Sequence, residues 1–305
     1  MPKSAIKLEG LTKYYGHDLG VADLTFEINP GEVFGFLGPN GAGKTTAMRV
    51  LVGLLTITSG RAEILGVDVS TKNPEVRRRV GYLPGAPSLY ENLTSWEHLI
   101  FLSRMRGIDC TREIHSIAER LELDLTRHIH DLSKGNQQKV GVVQAFMHQP
   151  AVLILDEPTS GLDPIVQREF AVLVDEAQAR GAAILLSSHV LSEVEHLADR
   201  VVIINAGKQV LVDEISHLKE RTIRSIDLFF TSTVDEAIFS GIAGVKEVVV
   251  FGNRVTCTVI GAENALLRTA VEHGLESVQT HESSLDDIFF SIISGGDAND
   301  PSTIS

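Results

Sequence analysis

Residues Gly38 to Thr46 read GPNGAGKTT, and this stretch decides the fold. It fits the spacing G-x-x-x-x-G-K-[ST], with Gly38, Gly43, Lys44 and Thr45 at the fixed places. Before it lies VFGFL, Val33 to Leu37, a short apolar run that reads as a buried strand. After it, Thr45 to Leu55 carries apolar residues at helical spacing. Strand, glycine loop and helix start together offer unpaired backbone N–H groups and a positive dipole end, which hold a phosphate. Pro39, Asn40, Gly41, Ala42 and Thr46 complete that loop; Lys44 is placed for β- and γ-phosphates, and the Thr45 hydroxyl for Mg²⁺. A glycine-rich turn matching by chance is the alternative, and the strand and helix on either side weigh against it.

The 305 residues suggest about two domains, on a soft rule of roughly 150 residues each. With 43% hydrophobic residues the chain can bury a sizeable core. A net charge of −13 argues against a protein that mainly grips nucleic acid, which needs a basic footprint. Cys110 and Cys257 lie far apart and form no metal-ligand spacing, so they read as small apolar fillers in a reducing cytosol. The start, MPKSAIKLEG, lacks the apolar core of a signal peptide. No stretch approaches the ~20 apolar residues that span a bilayer, so any membrane role comes through a partner chain.

Upstream of the loop, Ala5 to Asn29 alternates in strand-like pieces broken by YYGHD and NPGE, predicting a small antiparallel sheet. Tyr14 and Tyr15 precede Gly16; an aromatic on such a turn can stack on a base, and a half-buried structural tyrosine is the plainer reading. Downstream, TSGRAEILGVDV reads as strand-turn-strand, Pro74 to Arg79 as a short helix and VGYLPG as a strand. Arg77, Arg78 and Arg79 read as a solvated face. From about 84 to 150 the pattern is helical, an insertion in an otherwise α/β domain. One helix is predicted over SWEHLIFLSRMRG with Ser95 as N-cap and a stop at Gly107. A second covers Thr111 to Leu121 with Thr111 as its cap, and a third starts near Ser133 and runs towards Pro150.

AVLILDEPTSGLDP, Ala151 to Pro164, brings four apolar residues directly into Asp156 and Glu157. A continuous apolar run suits a parallel strand buried on both faces, and its C-terminal end is where open α/β sheets bind ligands. Asp156 is suited to hold Mg²⁺ and Glu157 to polarise an attacking water; acids that merely cap a strand end are the alternative. Ile165 to Arg180 reads as an amphipathic helix ended by Gly181, and AAILLSSH as a buried strand ending in His189. That position allows a γ-phosphate contact as readily as a structural histidine. A helix over Leu191 to Ala198 and the strands of VVIINAGKQV complete the domain.

LSKGNQQKV, Leu132 to Val140, resembles the signature LSGGQ of the nucleotide-binding subunits of ABC transporters. DEPTSGLDP resembles the Walker B motif and D-loop of that family, and His189 its switch histidine. The resemblance covers roughly Ala5 to Leu218 and implies a P-loop NTPase fold: a RecA-like core, an N-terminal antiparallel β subdomain and an inserted helical subdomain. It implies ATP and Mg²⁺ as ligands and Tyr15 as the aromatic stacked on adenine. Ser133 and Gly135, at a helix start, would face the γ-phosphate held by an opposite subunit, and Asp163 would communicate across that dimer. One phosphate loop and one signature per chain imply a homodimer, or a pairing with a homologous ATPase. By the same resemblance the block from Tyr90 to Gly107 docks an integral membrane permease on a separate chain, which puts the protein peripherally on the cytoplasmic face of the membrane.

Two departures stand out. Lys134 and Asn136 replace a glycine and the glutamine of the signature, while Ser133 and Gly135 remain. Gly85, in GYLPGAPSLY, stands where the family usually has a glutamine that meets Mg²⁺ and the attacking water. Water can complete the metal's octahedron, since Mg²⁺ readily keeps several waters.

After LKERT the chain changes character, which puts the ATPase domain at 1–220 and an accessory α+β domain at 221–293. IRSIDLFF, VDEAIFSG, KEVVVFG, NRVTCTVI, GAENALLRTAVEHG and LESVQTHE read as β-α-β-β-α-β, a small ferredoxin-like unit. SSLDDIFFSII reads as a closing helix with Ser284 as its cap, and 294–305 as a disordered tail. The ending resembles ABC subunits of exporters with separate membrane chains, including the antibiotic- and multidrug-resistance branch; a plain dimerisation module is the simpler role. An ABC ATPase that never meets a membrane is the competing function, but such proteins carry paired ATPase units, coiled coils or zinc fingers that this sequence lacks. A nucleotide-gated switch without useful hydrolysis is favoured by Gly85 and opposed by Glu157 and His189.

Overall fold

Strands β1 (Ile6–Tyr15) and β2 (Asp18–Ile28) pair antiparallel, with Tyr15 opposite Asp18 across the YYGHD turn. The chain then enters β3 (Val33–Leu37), the phosphate-loop segment and α1 (Lys44–Leu51). β4 (Ser59–Ile64) and β5 (Val67–Asp68) extend the antiparallel part, β4 lying against β1. The computed structural model describes residues 4–71, 73–220, 223–260 and 263–282. It divides into two compact units, Met1–Val212 and Asp213–Ser305, a division that falls ahead of LKERT.

After α2 (Pro74–Arg78) and β6 (Val80–Leu83) come the helices α3 (Ser95–Arg106), α4 (Thr111–Arg120) and α5 (Lys134–Phe146). The core resumes with β7 (Val152–Asp156), α6 (Pro164–Ala179), β8 (Ala183–Ser188), α7 (Leu191–Glu195), β9 (Arg200–Asn205) and β10 (Lys208–Glu214). Among the described residues these strands form one sheet in the order β5-β4-β1-β2-β10-β9-β3-β8-β7-β6. The run β9-β3-β8-β7-β6 is parallel. Every residue of β3, β7 and β8 is buried, as continuous apolar runs inside a parallel sheet require. Each large side chain fully buried there contributes about 1.5–3 kcal/mol. Phe34 and Phe36 of β3 pack with Met48 of α1 and Ile154 of β7 in one core.

Cap chemistry sets the helix ends, and at two N-termini it differs from the sequence reading. The N-cap of α3 is Thr94, not Ser95: Thr94 and Glu97 form a reciprocal capping box, and Ser95 is the first helical residue, buried. A hydroxyl three residues ahead of a glutamate satisfies two orphan N–H groups, so it outcompetes its neighbour. α4 is preceded by Cys110, which makes no side-chain cap; Thr111 is already helical and its N–H donates to Asp109 Oδ1 at 3.0 Å. Gly107 does end α3, in the left-handed conformation that glycine adopts without strain. Ser133 caps α5 and Asp163 caps α6, with Pro164 in its first turn. α7 stops at Glu195 rather than Ala198, the Leu197 and Ala198 N–H groups closing on the Val194 carbonyl. Both cysteines are buried, and burial pushes the Cys257 thiol up to about 11.

The second unit opens with α8 (Ile215–Glu220) and β11 (Ile223–Phe230). It continues with β12 (Val245–Phe251), β13 (Arg254–Ile260), α9 (Asn264–Glu272) and β14 (Leu275–Glu282). Its sheet runs β12-β13-β11-β14 with antiparallel neighbours, over a core of Ile226, Leu228, Phe230, Phe239 and Leu266. VDEAIFSG does not form the first helix of a β-α-β-β-α-β unit. It makes only a 3-10 turn over Glu236–Ile238, capped by Asp235. The chain continues through tight turns closed by Ile242 on Phe239 and by Val245 on Ile242, because so short a run ahead of Gly241 cannot repay helix nucleation. The helix read over SSLDDIFFSII and the tail 294–305 lie outside the described residues.

Thr94→Ala removes the hydroxyl half of the α3 capping box. It is expected to destabilise the first unit by about 1 kcal/mol, read as a lower urea midpoint with an unchanged slope.

Candidate active site

The parallel register brings separate parts of the chain to one edge. Leu37 at the end of β3 pairs with Ser188 of β8, and Asp156 at the end of β7 pairs with Ser187. The phosphate loop, the two carboxylates and His189 therefore leave the sheet side by side. Gly43 sits at φ +106, and a Cβ there would collide with the Gly20 carbonyl, so only glycine lets β2 and the loop approach so closely.

A cleft of about 320 Å³ opens along this edge, lined by Tyr15, Leu19, Gly20, the loop from Pro39 to Thr46, and Glu157. Lys44 is buried within it; its Nζ donates to the Gly38 carbonyl at 2.6 Å and lies 3.4 Å from Glu157 Oε1. The Thr45 hydroxyl donates to Asp156 Oδ2 at 2.7 Å, joining the first turn of α1 to the end of β7. His189 Nδ1 lies 2.7 Å from Glu157 Oε2, so the Glu157 carboxylate faces a lysine on one oxygen and an imidazole on the other. Tyr15 is 45% exposed, carries Lys13 Nζ 5.5 Å over its ring, and places its hydroxyl 3.3 Å from Thr46 Oγ1. A flat aromatic face thus stands beside the phosphate loop.

Ser133, Gly135 and Asp163 do not line this cleft. They belong to a second cluster, where the turn opening α5 meets the segment after β7: a Cβ on Gly135 would come within 2.6 Å of the Gly161 carbonyl. Ser133 Oγ accepts from the Asn136 N–H at 3.3 Å, and Asp163 Oδ1 from the Ile165 and Val166 N–H groups at 3.0 Å. The backbone N–H of Val166, helped by that of Ile165, holds the Asp163 carboxyl below its ordinary range. Gly85 lies beside the first cluster, with space for a side chain: a Cβ there would meet Asp156 at 3.6–3.8 Å, ordinary contact.

Two residues not singled out from the sequence hold this geometry. Ser187, fully buried, donates to Asp156 Oδ1 at 2.7 Å and accepts from the Glu157 N–H at 3.0 Å. Gln138, on α5, donates to the carbonyls of Glu157 at 3.3 Å and Pro158 at 3.1 Å. A polar residue inside the apolar run AILLSS was the available signal for Ser187; Gln138 had none beyond its place after the signature. Glu157 needs such support, since its φ of +48 lies in the left-handed region, a strain of order 1–3 kcal/mol for a side-chain-bearing residue.

Comparison with known proteins agrees with this layout. Residues 21–160 match the family described as ABC transporter. The chain is 36% identical over 302 residues to the bacitracin transport ATP-binding protein BcrA of Bacillus licheniformis, covering 95% of this chain and 98% of that protein. The chain belongs to the ABC transporter ATP-binding family. Another relative of this ABC ATPase is the probable multidrug ABC transporter ATP-binding protein YbhF of Escherichia coli. It is 34% identical over 225 residues, which cover 72% of this chain and 39% of that one. Among solved structures, an ATP binding subunit of an ABC transporter superposes with a TM-score of 0.67 at 31% identity, over 71% of this chain and 92% of the other. A dimeric ATP-binding cassette bound to ADP and Pi shares the fold, at a TM-score of 0.61 and 21% identity, over 69% of this chain and 98% of that one. The α/β P-loop fold and ATPase class read from the motifs therefore hold for this chain. Among the described residues no helix is long and apolar enough to cross a membrane.

Ser187→Ala leaves Asp156 Oδ1 and the Glu157 N–H without their shared partner. It is expected to cost about 1–3 kcal/mol of stability, measured by urea unfolding, with Ser187→Thr recovering most of the loss.

Proposed function

We propose that this ABC ATPase powers a separate membrane permease that exports an antibiotic, drug or lipid-like substrate. One observation carries the reading: among the described residues there is one phosphate-loop cleft and one serine-capped helix tip, in separate clusters. A γ-phosphate held in the cleft of one copy therefore needs the Ser133 tip of another to cover it. Two copies, or one copy and a homologue, close head to tail over two ATP molecules, with Asp163 at the seam. The full-length similarity to a protein named for bacitracin transport supports an antibiotic-like cargo.

The residues fit a magnesium ion. The Thr45 hydroxyl and the Asp156 carboxylate converge at 2.7 Å, two hard oxygen donors of the kind Mg²⁺ prefers. Mg²⁺ held there would neutralise charge on the β- and γ-oxygens of ATP. The loop N–H groups and the buried Lys44 ammonium clasp the same phosphates, Lys44 turning from the Gly38 carbonyl to the nucleotide. Tyr15 stacks on the adenine. The Glu157 carboxylate orients the attacking water, and His189, bonded to it, contacts the γ-phosphate. Hydrolysis is then phosphoryl transfer to water by positioning and charge stabilisation. Gly85 supplies no side chain to the metal or the water, so coupling to the permease runs through backbone shifts.

Permease docking falls to the helical block. Tyr90, Phe101 and Met105 stand 54%, 42% and 67% exposed, and Tyr90 stacks edge-on against Phe101. An apolar patch of this kind, on α3 and the segment just ahead of it, suits a short helix of a membrane chain, which would hold the ATPase at the cytoplasmic face of the membrane. The second unit serves as a dimer-stabilising module.

Glu157→Gln is expected to bind MgATP, to elute as an ATP-dependent dimer in gel filtration, and to lose at least about a hundredfold in kcat. A variant retaining most of its rate removes Glu157 from this role. Gly85→Gln, for which there is room, is expected to keep its melting temperature and to lower the Mg²⁺ concentration needed for half-maximal ATPase. Unchanged basal and permease-stimulated rates would count against coupling through backbone shifts.

A further inference from the structure

We propose that Gln138 is a positioning residue for hydrolysis, holding the main chain of Glu157 from the helix that carries Ser133. The inference rests on the reading of Glu157 as the group that orients water. Glu157 follows β7 in a left-handed conformation, so its side-chain direction depends on what grips its peptide groups. Both sides are gripped. Its N–H donates to Ser187 Oγ at 3.0 Å, a contact from β8. Its carbonyl accepts from Gln138 Nε2 at 3.3 Å, a contact from α5, and the next carbonyl, of Pro158, accepts from the same nitrogen at 3.1 Å.

The two grips differ in kind. Ser187 belongs to the parallel sheet and pairs with Asp156 in register, so its end is fixed. Gln138 is 3% exposed on α5, a helix of the inserted block, five residues after Ser133 at its N-cap. Near the same tip Gly135 packs against the Gly161 carbonyl with no room for a side chain. A displacement of the α5 tip is therefore passed to the peptide of Glu157 through a buried amide, while the other side stays anchored. With the tip seated on the nucleotide of a second copy, filling of that neighbouring site is felt at the Glu157 of the same chain. A buried amide that only satisfied two carbonyls would steady the fold without altering the chemical step.

Two substitutions in the full chain separate these roles. Gln138→Met keeps length and volume but removes the donor. Gln138→Glu keeps the shape and turns an acceptor towards the carbonyl oxygens. With MgATP, Gln138→Met is expected to lower kcat about tenfold and Gln138→Glu further, with KM within about twofold of the parent. In the Glu157→Gln background, Gln138→Met is expected to add no further loss in single-turnover rate, because the group it positions is gone. Should Gln138→Glu fail to fold, Gln138→Met and its melting temperature carry the test. An unchanged kcat in Gln138→Met beside an inactive Glu157→Gln overturns the role of Gln138 alone, as do losses that multiply in the double variant. An active Glu157→Gln overturns the reading of Glu157, and the inference falls with it.

Discussion

Leu37 pairs with Ser188, and Asp156 with Ser187, across the adjacent parallel strands β3, β8 and β7. Everything at the site depends on this register. It brings the end of each strand to one edge, where the Thr45 hydroxyl can reach Asp156 across 111 residues of sequence. A slip of one residue would turn Asp156 and Ser187 to opposite faces, since side chains alternate along a strand. The burial of β3, β7 and β8 on both faces makes such a slip costly, so the core that stabilises the domain also aligns its chemistry.

On that edge the most demanding group is Glu157. Its backbone is left-handed, its carboxylate lies between a lysine and a histidine, and its peptide is bonded from both β8 and α5. Strain held in this way is sustained only where neighbours over-determine it, and here the neighbours are a strand and a helix of different origin. The arrangement ties the orientation of a single carboxylate to the position of the inserted helices.

The separation of the two anion-facing clusters within one chain gives the protein its logic. In the proposed head-to-tail pairing the glycine loop is the bed for a nucleotide, and the Ser133 turn, which does not line the same cleft, is its cover. On that reading neither is a complete site. Their chemistry favours anions although the chain as a whole is acidic, because backbone N–H groups and helix ends act locally while net charge acts at long range.

The chemical groups were legible in the sequence. The glycine spacing of Gly38 to Thr46 and the carboxylates after Val152 to Leu155 marked a loop and a strand end that the fold brings to one edge, because such segments are specified by neighbouring residues, whereas the Ser133 turn was found through its resemblance to a family signature. The buried strands were legible for the same reason. The cap of α3 was misplaced by one residue, as the choice between Thr94 and Ser95 is made by a reciprocal bond to Glu97. VDEAIFSG fell short of a helix, since a short segment takes its conformation from what packs on it. The bonds that orient Glu157 and Asp156 come from Gln138 and Ser187, 19 and 31 residues away in the chain. Local sequence determined which groups exist and which elements carry them. Tertiary structure alone decided which buried polar side chains meet, because a hydrogen bond between distant segments depends on register and packing that no local pattern contains.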